Sequence, residues 1–131
     1  MKSKFSSIIY LFLLVAGSFS CNKASTPPSY SIQGLWIGTY VGNNSNVPAA
    51  YFSFIIQPGG TMLVQGVAGT DTVYASGSWT LTGDTLKCNY KYFVPIVNQS
   101  ATAIYNSSGT LTSGMWQDIY DSGTFQMKRI E

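Results

Sequence analysis

The chain has 131 residues, of which 45% are hydrophobic, 15% are aromatic and only 9% are charged, and its formal net charge is +2. This length accommodates one domain with a substantial core, and the charged fraction is far below the roughly 25% of an average soluble domain. Histidine is absent, which excludes a Ser-His-Asp triad, a Cys-His pair and the usual zinc sites, because all of them need imidazole.

The first twenty residues have the pattern of an export signal. Lys2 and Lys4 precede an apolar run at residues 8–16, and small residues then lead to Ser20. The run is too short for a transmembrane helix, which needs roughly 20 apolar residues. A basic start, a short apolar stretch and a small-residue region are typical of a secretory signal. We therefore predict a signal peptide at residues 1–20.

Cys21 stands directly after this signal, with the small residue Ser20 before it and Ser18 three positions before it. The arrangement resembles the lipidation site of bacterial lipoproteins, whose mature chain begins at an acylated cysteine. The usual site has leucine where Ser18 stands, and the looser sites of Bacteroidetes lipoproteins tolerate this departure. The resemblance implies a lipid on Cys21. The alternative is ordinary signal-peptidase cleavage, which would leave a secreted chain.

The segment after Cys21 is rich in proline and serine and has no apolar periodicity. This composition is typical of a short flexible tether, which we place at residues 21–33. No acidic residue occurs before Asp71, whereas lipoproteins sent to the cell surface often carry an acidic run after the cysteine. The resemblance therefore implies an outer-membrane lipoprotein that faces the periplasm rather than the exterior.

From Gly34 onward the apolar residues recur with a period of two. In one run Leu86, Cys88 and Tyr90 alternate with Lys87 and Asn89, which places one face on a core and the other in water. Turn residues divide this region into eight predicted strands, at 34–42, 50–57, 61–67, 72–82, 85–94, 99–106, 109–117 and 122–130. Short strands with tight links predict an all-β domain, a single antiparallel up-and-down barrel. The alternative is a sandwich of two sheets.

A glycine followed two positions later by an aromatic residue recurs in these strands. It occurs as Gly34-Leu35-Trp36, Gly77-Ser78-Trp79, Gly114-Met115-Trp116 and Gly123-Thr124-Phe125. A strand glycine leaves a gap that a ring can cover, and it lets a sheet curve. The segment GLWIGTY at 34–40 resembles the first strand of lipocalin-like (calycin) barrels, in which the indole of Gly-x-Trp plugs one end.

Together, the signal, the tether and the barrel at 34–131 resemble the small lipocalin-like lipoproteins of the Bacteroidetes. This resemblance implies a binding protein of the cell envelope. The expected ligand is a small apolar or amphipathic molecule, and the membrane is contacted through the N-terminal lipid. A protein partner in the envelope, bound by a barrel filled with its own side chains, is the alternative.

Residues for catalysis are scarce. The aspartates are Asp71, Asp84, Asp118 and Asp121. A carboxylate-based hydrolase needs two acids flanking one bond, and the near pair Asp118 and Asp121 falls in a predicted turn, where aspartates usually bind their own backbone. We therefore predict no enzyme, with such a hydrolase as a remote alternative.

Cys88 lies on the apolar face of its predicted strand, between Leu86 and Tyr90. No histidine is present to activate it as a nucleophile, so we interpret it as a buried free thiol. The alternative is a disulfide with Cys21, which an oxidising compartment would permit if Cys21 carried no lipid.

The sequence also lacks the patterns of metal, cofactor and nucleic-acid sites. It has no histidine and no cysteine pair in the folded part, and no acidic loop with calcium-ligand spacing. Its few lysines and arginines form no basic stripe. We therefore expect no metal, no cofactor and no nucleic-acid partner.

Aromatic side chains are the remaining candidates for function. Barrels of about eight strands have room for their own side chains or for one small ligand. The residues predicted to contact a ligand are Trp36, Tyr40, Phe52, Phe54, Trp79, Tyr90, Tyr92 and Trp116. The sequence leaves open whether these rings fill the interior or surround a cavity.

Overall fold

A computed structural model of the chain describes residues 29–44 and 48–131. The predicted signal peptide, the predicted lipid site Cys21 and the first part of the predicted tether lie outside these residues. Within the described ranges, no helix has the length and apolar character needed to cross a bilayer.

Eight strands form one closed antiparallel barrel in which each strand pairs with its neighbours in the sequence. They are β1 (Gly34–Gly42), β2 (Ala50–Ile56), β3 (Thr61–Ala68), β4 (Asp71–Thr82), β5 (Thr85–Tyr92), β6 (Asn98–Asn106), β7 (Thr110–Gln117) and β8 (Ser122–Ile130). Pairing of β1 with β8, from Leu35 opposite Ile130 to Gly42 opposite Gly123, closes the sheet. The prediction of an up-and-down barrel is confirmed, and a two-sheet sandwich is excluded.

The predicted strand at 85–94 was too long, because β5 ends at Tyr92. Pro95 has no amide hydrogen with which to continue a ladder, and residues 93–97 form a loop instead. The backbone N–H of Tyr92 donates to the carbonyl of Val97 at 2.9 Å, which closes this loop.

The predicted alternation of buried and exposed residues is present in the barrel wall. In β5, Leu86, Cys88 and Tyr90 are buried, whereas Lys87 and Asn89 are exposed. The barrel interior is therefore the hydrophobic core, and the outer surface carries polar side chains together with exposed apolar ones such as Leu63 and Ile104.

Glycines allow neighbouring rings to cover the sheet where it curves. A Cβ atom on Gly114 would lie 2.7 Å from the ring of Phe125. A Cβ atom on Gly123 would lie 1.8 Å from the carbonyl oxygen of Val41 and 2.7 Å from Nε1 of Trp116. Both positions therefore require glycine, and the predicted role of the glycine-aromatic pattern is confirmed at these two sites.

Trp36 plugs one end of the barrel, which we call the closed end. Its side chain is fully buried, and its indole Nε1 donates to the carbonyl of Ile32 at 2.7 Å. The ring of Tyr105 meets it edge-on, with the centroids 6.2 Å apart. This is the position that the Gly-x-Trp resemblance implied.

Residues 29–33, the described part of the predicted tether, pack across the closed end. Ile32 belongs to the core, and the guanidinium of Arg129 donates to the carbonyl of Gln33 at 3.0 Å. The same guanidinium lies over the ring of Tyr30, 5.4 Å from its centroid. The hydroxyl of Tyr105 donates to the carbonyl of Tyr30. This segment therefore closes the barrel at the end where the chain joins it.

Cys88 is a buried free thiol in the described part of the chain, as predicted. Burial raises the pKa of this thiol to about 12. Burial also raises the pKa of its neighbour Tyr90 well above the ordinary value. Both groups are therefore protonated, and uncharged, at neutral pH.

We expect Gly123→Ala to lower the free energy of unfolding by about 2 kcal/mol or more, since the methyl group overpacks against the backbone of β1. Thr124→Ala, at the exposed neighbouring position, should cost less than about 1 kcal/mol. Urea denaturation followed by tryptophan fluorescence measures both values. Equal losses for the two variants would contradict the close approach of the strands at Gly123.

Stability should fall above pH 9. The folded pKa of Cys88 lies above its unfolded value of 9.0, so its contribution is present below pH 9 and is lost as the pH rises towards 12. We expect the free energy of unfolding to be about 1 kcal/mol lower at pH 10 than at pH 8 from this thiol alone. Urea denaturation at the two pH values tests this. Cys88→Ala should show a smaller difference, and an unchanged difference would contradict the assignment to Cys88.

Candidate functional site

A cavity of about 250 Å³ opens at the end of the barrel opposite Trp36, which we call the mouth. It lies where β1, β3, β5 and β7 end and the following strands begin. Its lining residues are Tyr40, Phe52, Ala68, Val73, Tyr92, Pro95, Val97, Gln99, Trp116, Asp118 and Tyr120. The interior is thus filled at the closed end and hollow at the mouth.

Small residues on two strands account for this space. Ala68 on β3 and Val73 on β4 line the cavity, and Gly66 contributes no side chain beside them. A Cβ atom on Gly66 would lie 3.6 Å from Phe52 and 3.7 Å from the hydroxyl of Tyr92, which are ordinary contact distances. Small side chains on β3 and β4 therefore leave open volume near the mouth.

Two rings of the cavity wall are held by hydrogen bonds to the backbone. The hydroxyl of Tyr40 donates to the carbonyl of Val67 at 2.7 Å, and Nε1 of Trp116 donates to the carbonyl of Val41 at 3.2 Å. The two rings meet edge-on, with their centroids 5.7 Å apart. Because their polar atoms are already paired, they present mainly apolar surface to the cavity.

A layer of packed aromatic rings lies beneath the cavity. Phe54 is fully buried at its centre, and its ring centroid lies 4.9 Å from Phe52, 5.5 Å from Phe125 and 5.9 Å from Tyr90. This layer separates the cavity from the filled closed end and gives it a floor.

The predicted ligand-contacting residues fall at three levels of the barrel. Tyr40, Phe52, Tyr92 and Trp116 line the cavity. Phe54 and Tyr90 belong to the packed layer beneath it.

Trp36 and Trp79 lie at the closed end, where Nε1 of Trp79 donates to the carbonyl of Gln57 at 2.9 Å. The structure therefore brings four of the eight predicted residues together around one space. Ligand contact by those four stays a prediction.

Several lining residues were absent from the predicted set. Pro95, Val97 and Tyr120 lie in loops beyond the strand ends, where no periodicity indicates their direction. Gln99 was detectable, because it precedes the buried residues Ala101 and Ala103 at the inward positions of β6. Aromatic character, which defines the predicted set, does not select a glutamine.

The cavity contains few polar groups. Gln99 is only 9% exposed, and among the described residues its Oε1 atom has no hydrogen-bond partner. Burial raises the pKa of Tyr92, and the nearby Tyr40 hydroxyl and Asp118 carboxylate raise it further. The Tyr92 phenol is therefore neutral at physiological pH.

Asp118 is held in the turn between β7 and β8. Its Oδ1 atom accepts from the backbone N–H groups of Tyr120 at 2.7 Å and Asp121 at 2.9 Å, as expected for a turn aspartate. Asp121 in turn accepts from the N–H of Ser122 at 2.7 Å.

Asp118 is the one carboxylate among the described residues that line the cavity. The pairing of two acids that a hydrolase needs is not formed there. Across the described ranges, no three His, Cys, Asp or Glu side chains are grouped so as to hold a metal ion.

A wider depression lies on the outer face of β4, β5 and β6, with a volume of about 810 Å³. It is lined by polar residues that include Ser76, Ser78, Asn89 and Ser100. This depression is open to solvent and lacks the enclosing aromatic walls of the cavity at the mouth.

No model of a protein family matches the sequence, and no curated protein matches it either. Similar solved structures include a redesigned β-barrel, mFAP1, determined bound to DFHBI, with 17% identity and a TM-score of 0.61. The match covers 80% of this chain and 100% of that chain. A second redesigned β-barrel shares 16% identity with a TM-score of 0.58, over 76% of this chain and 91% of that one. The likeness is one of fold, and both neighbours are β-barrels.

Proposed function

We propose that this protein is a non-catalytic binding module, which holds one small apolar or amphipathic ligand in the cavity at the mouth of its barrel. The observation that carries the proposal is an aromatic-walled cavity of about 250 Å³ in a barrel that is otherwise filled. Concave, mainly apolar spaces with a few polar groups are the usual form of a ligand site. The redesigned barrel mFAP1, of similar fold, was determined bound to DFHBI, which is consistent with this use of the architecture.

The cavity volume limits the size of the ligand. A dry apolar cavity of roughly 150 Å³ is enough to bind benzene, so a cavity of about 250 Å³ suits one or two fused rings. A long acyl chain would extend through the mouth into solvent. The proposed ligand is therefore small and compact.

The loops around the mouth expose apolar side chains, and we call residues 93–97 and 118–121 the rim. Val94 is 77% exposed, Ile96 71% and Ile119 81%. Such a concentration of apolar surface is unusual for a protein surface and is typical of a binding region. The rim would give an apolar ligand a surface to contact before it reaches the cavity.

The proposal includes an envelope location. The sequence supports an exported chain, anchored by a lipid on Cys21 to the outer membrane and facing the periplasm. Residues 29–33 pack at the closed end, so an anchor attached through them would hold that end towards the membrane. Ser29 lies eight positions after Cys21, and this stretch spans at most about 28 Å when extended. The mouth would then face away from the bilayer.

Naphthalene is a suitable neutral probe of the cavity. We expect it to bind the folded barrel with a dissociation constant below about 1 mM, and to shift the backbone amide NMR signals of residues around the mouth. Ala68→Trp, at an exposed lining position, should weaken binding at least tenfold because the indole occupies the cavity. Leu63→Trp adds the same ring to the outer face of the same strand and should leave binding unchanged.

Two results of this titration would contradict the proposed function. One is the absence of any naphthalene binding to the unsubstituted protein. The other is equal binding by Ala68→Trp and Leu63→Trp, which would place the probe outside the cavity.

The anchor is tested separately. In a Bacteroidetes host grown with labelled palmitate, the full chain should incorporate label and fractionate with the outer membrane, and Cys21→Ser should do neither. Cys88→Ser, which alters the buried thiol, is the matched control and should retain the label. A soluble, unlabelled chain with an intact Cys21 would indicate ordinary secretion.

A second candidate function is binding of an envelope protein through the rim. The exposure of Val94, Ile96 and Ile119 favours it, because clustered apolar residues on a surface mark protein interfaces. This function needs no ligand in the cavity. Ala68→Trp would therefore leave it intact, and paired serine substitutions at Ile96 and Ile119 would abolish it.

A further inference from the structure

One side of the cavity differs chemically from the aromatic side. Gln99 at the start of β6 and Asp118 just after β7 come from neighbouring strands and carry an amide and a carboxylate. We call these two residues the polar wall. The rings of Tyr40 and Phe52 belong to the opposite, aromatic side.

Gln99 is the unusual member of the polar wall. Nine-tenths of its surface is buried, and its Oε1 atom has no hydrogen-bond partner among the described residues. Native proteins leave few buried polar atoms without a hydrogen-bond partner, so each exception needs a physical explanation. Because Gln99 lines the cavity, a group held in the cavity can supply the missing donor.

A second buried polar atom of the described interior is also without a partner. Tyr90 pairs with Gln99 across β5 and β6, and its hydroxyl is buried with no hydrogen bond among the described residues. Two paired inward positions therefore both carry a buried polar atom without a hydrogen-bond partner among the described residues. A leucine and a phenylalanine would fill these positions without that cost.

The charge carried by the described lining residues of the cavity is negative. Asp118 is the one charged side chain among its described lining residues, and no lysine or arginine is present with it. Its carboxylate contributes to the raised pKa of Tyr92, after burial and Tyr40. An anion in the cavity would be desolvated near a second negative charge and without a cation, which is strongly unfavourable.

On the basis of the proposed binding function, we infer that the ligand is a compact aromatic molecule with an N–H or O–H group that donates to Oε1 of Gln99, and that it is neutral or cationic. The rings of Tyr40, Phe52 and Trp116 provide the surface for stacking. A cation would be attracted by these rings and by Asp118. Fatty acids and other carboxylates are excluded.

A series of naphthalene derivatives separates these requirements in calorimetric titrations. We expect 2-naphthol, which has an O–H donor, to bind about three- to tenfold more tightly than 2-methoxynaphthalene, which has none. In Gln99→Leu the ratio of the affinities for 2-naphthol and 2-methoxynaphthalene should fall to about one. Naphthalene should bind this variant at least as tightly as it binds the unsubstituted protein. Gln117→Leu makes the same change at an exposed position on β7 and should preserve the ratio.

Gln99→Leu should also be at least as stable as the unsubstituted protein, because it removes an unpartnered buried amide. Urea denaturation measures this independently of any ligand. A clear loss of stability would show that the amide serves the fold, and would overturn the inference.

The charge requirement has its own pair of probes. We expect the cation 2-naphthylmethylammonium to bind at least tenfold more tightly than the anion 2-naphthoate. Asp118→Asn retains an oxygen for the two backbone N–H groups of the turn. It should reduce the preference for the cation over the anion, because the negative charge is removed.

The outcomes distinguish this inference from the function on which it rests. Equal affinities for 2-naphthol and 2-methoxynaphthalene, or tighter binding of 2-naphthoate than of the cation, would overturn the inference while naphthalene binding still supports a ligand cavity. No binding by any member of the series would overturn both.

Discussion

Pairing of β1 with β8 is the interaction on which the rest of the structure depends. Because the first strand pairs with both β2 and the last strand, the sheet has no open edge that could pair with another chain. Closure with eight strands also fixes the width of the interior, which has room for side chains or one small ligand. Every inward residue must share that limited space, so side-chain size decides which part is filled.

The interior divides into a filled half and a hollow half for this reason. At the closed end, Trp36 and the packed segment at 29–33 occupy the space. Near the mouth, Gly66 and Ala68 on β3 and Val73 on β4 supply little volume. The aromatic layer around Phe54 separates the two halves. The same closed sheet thus provides both a packed base and the candidate site.

The proposed binding function rests on side chains that are held in place around the cavity. Two of its rings are fixed by hydrogen bonds to the backbone, its half-buried phenols have raised pKa values, and Asp118 is held in a turn by two backbone N–H groups. Such groups can orient a bound molecule through hydrogen bonds and stacking. The unpartnered amide of Gln99 is the point at which that orientation would be most specific.

The sequence by itself determined the strand number, the inward faces, the turn role of Asp118 and the burial of Cys88, because alternation and turn chemistry are local properties. Height along the barrel depends on the direction of each strand in the closed sheet. Trp79 and Trp116 follow the same glycine pattern, yet Trp79 lies at the closed end and Trp116 at the mouth. They differ because each lies near the end of its strand, and β4 and β7 run in opposite directions. The cavity depended on the tertiary structure too, since an empty volume exists only where small residues from separate strands meet under a closed wall.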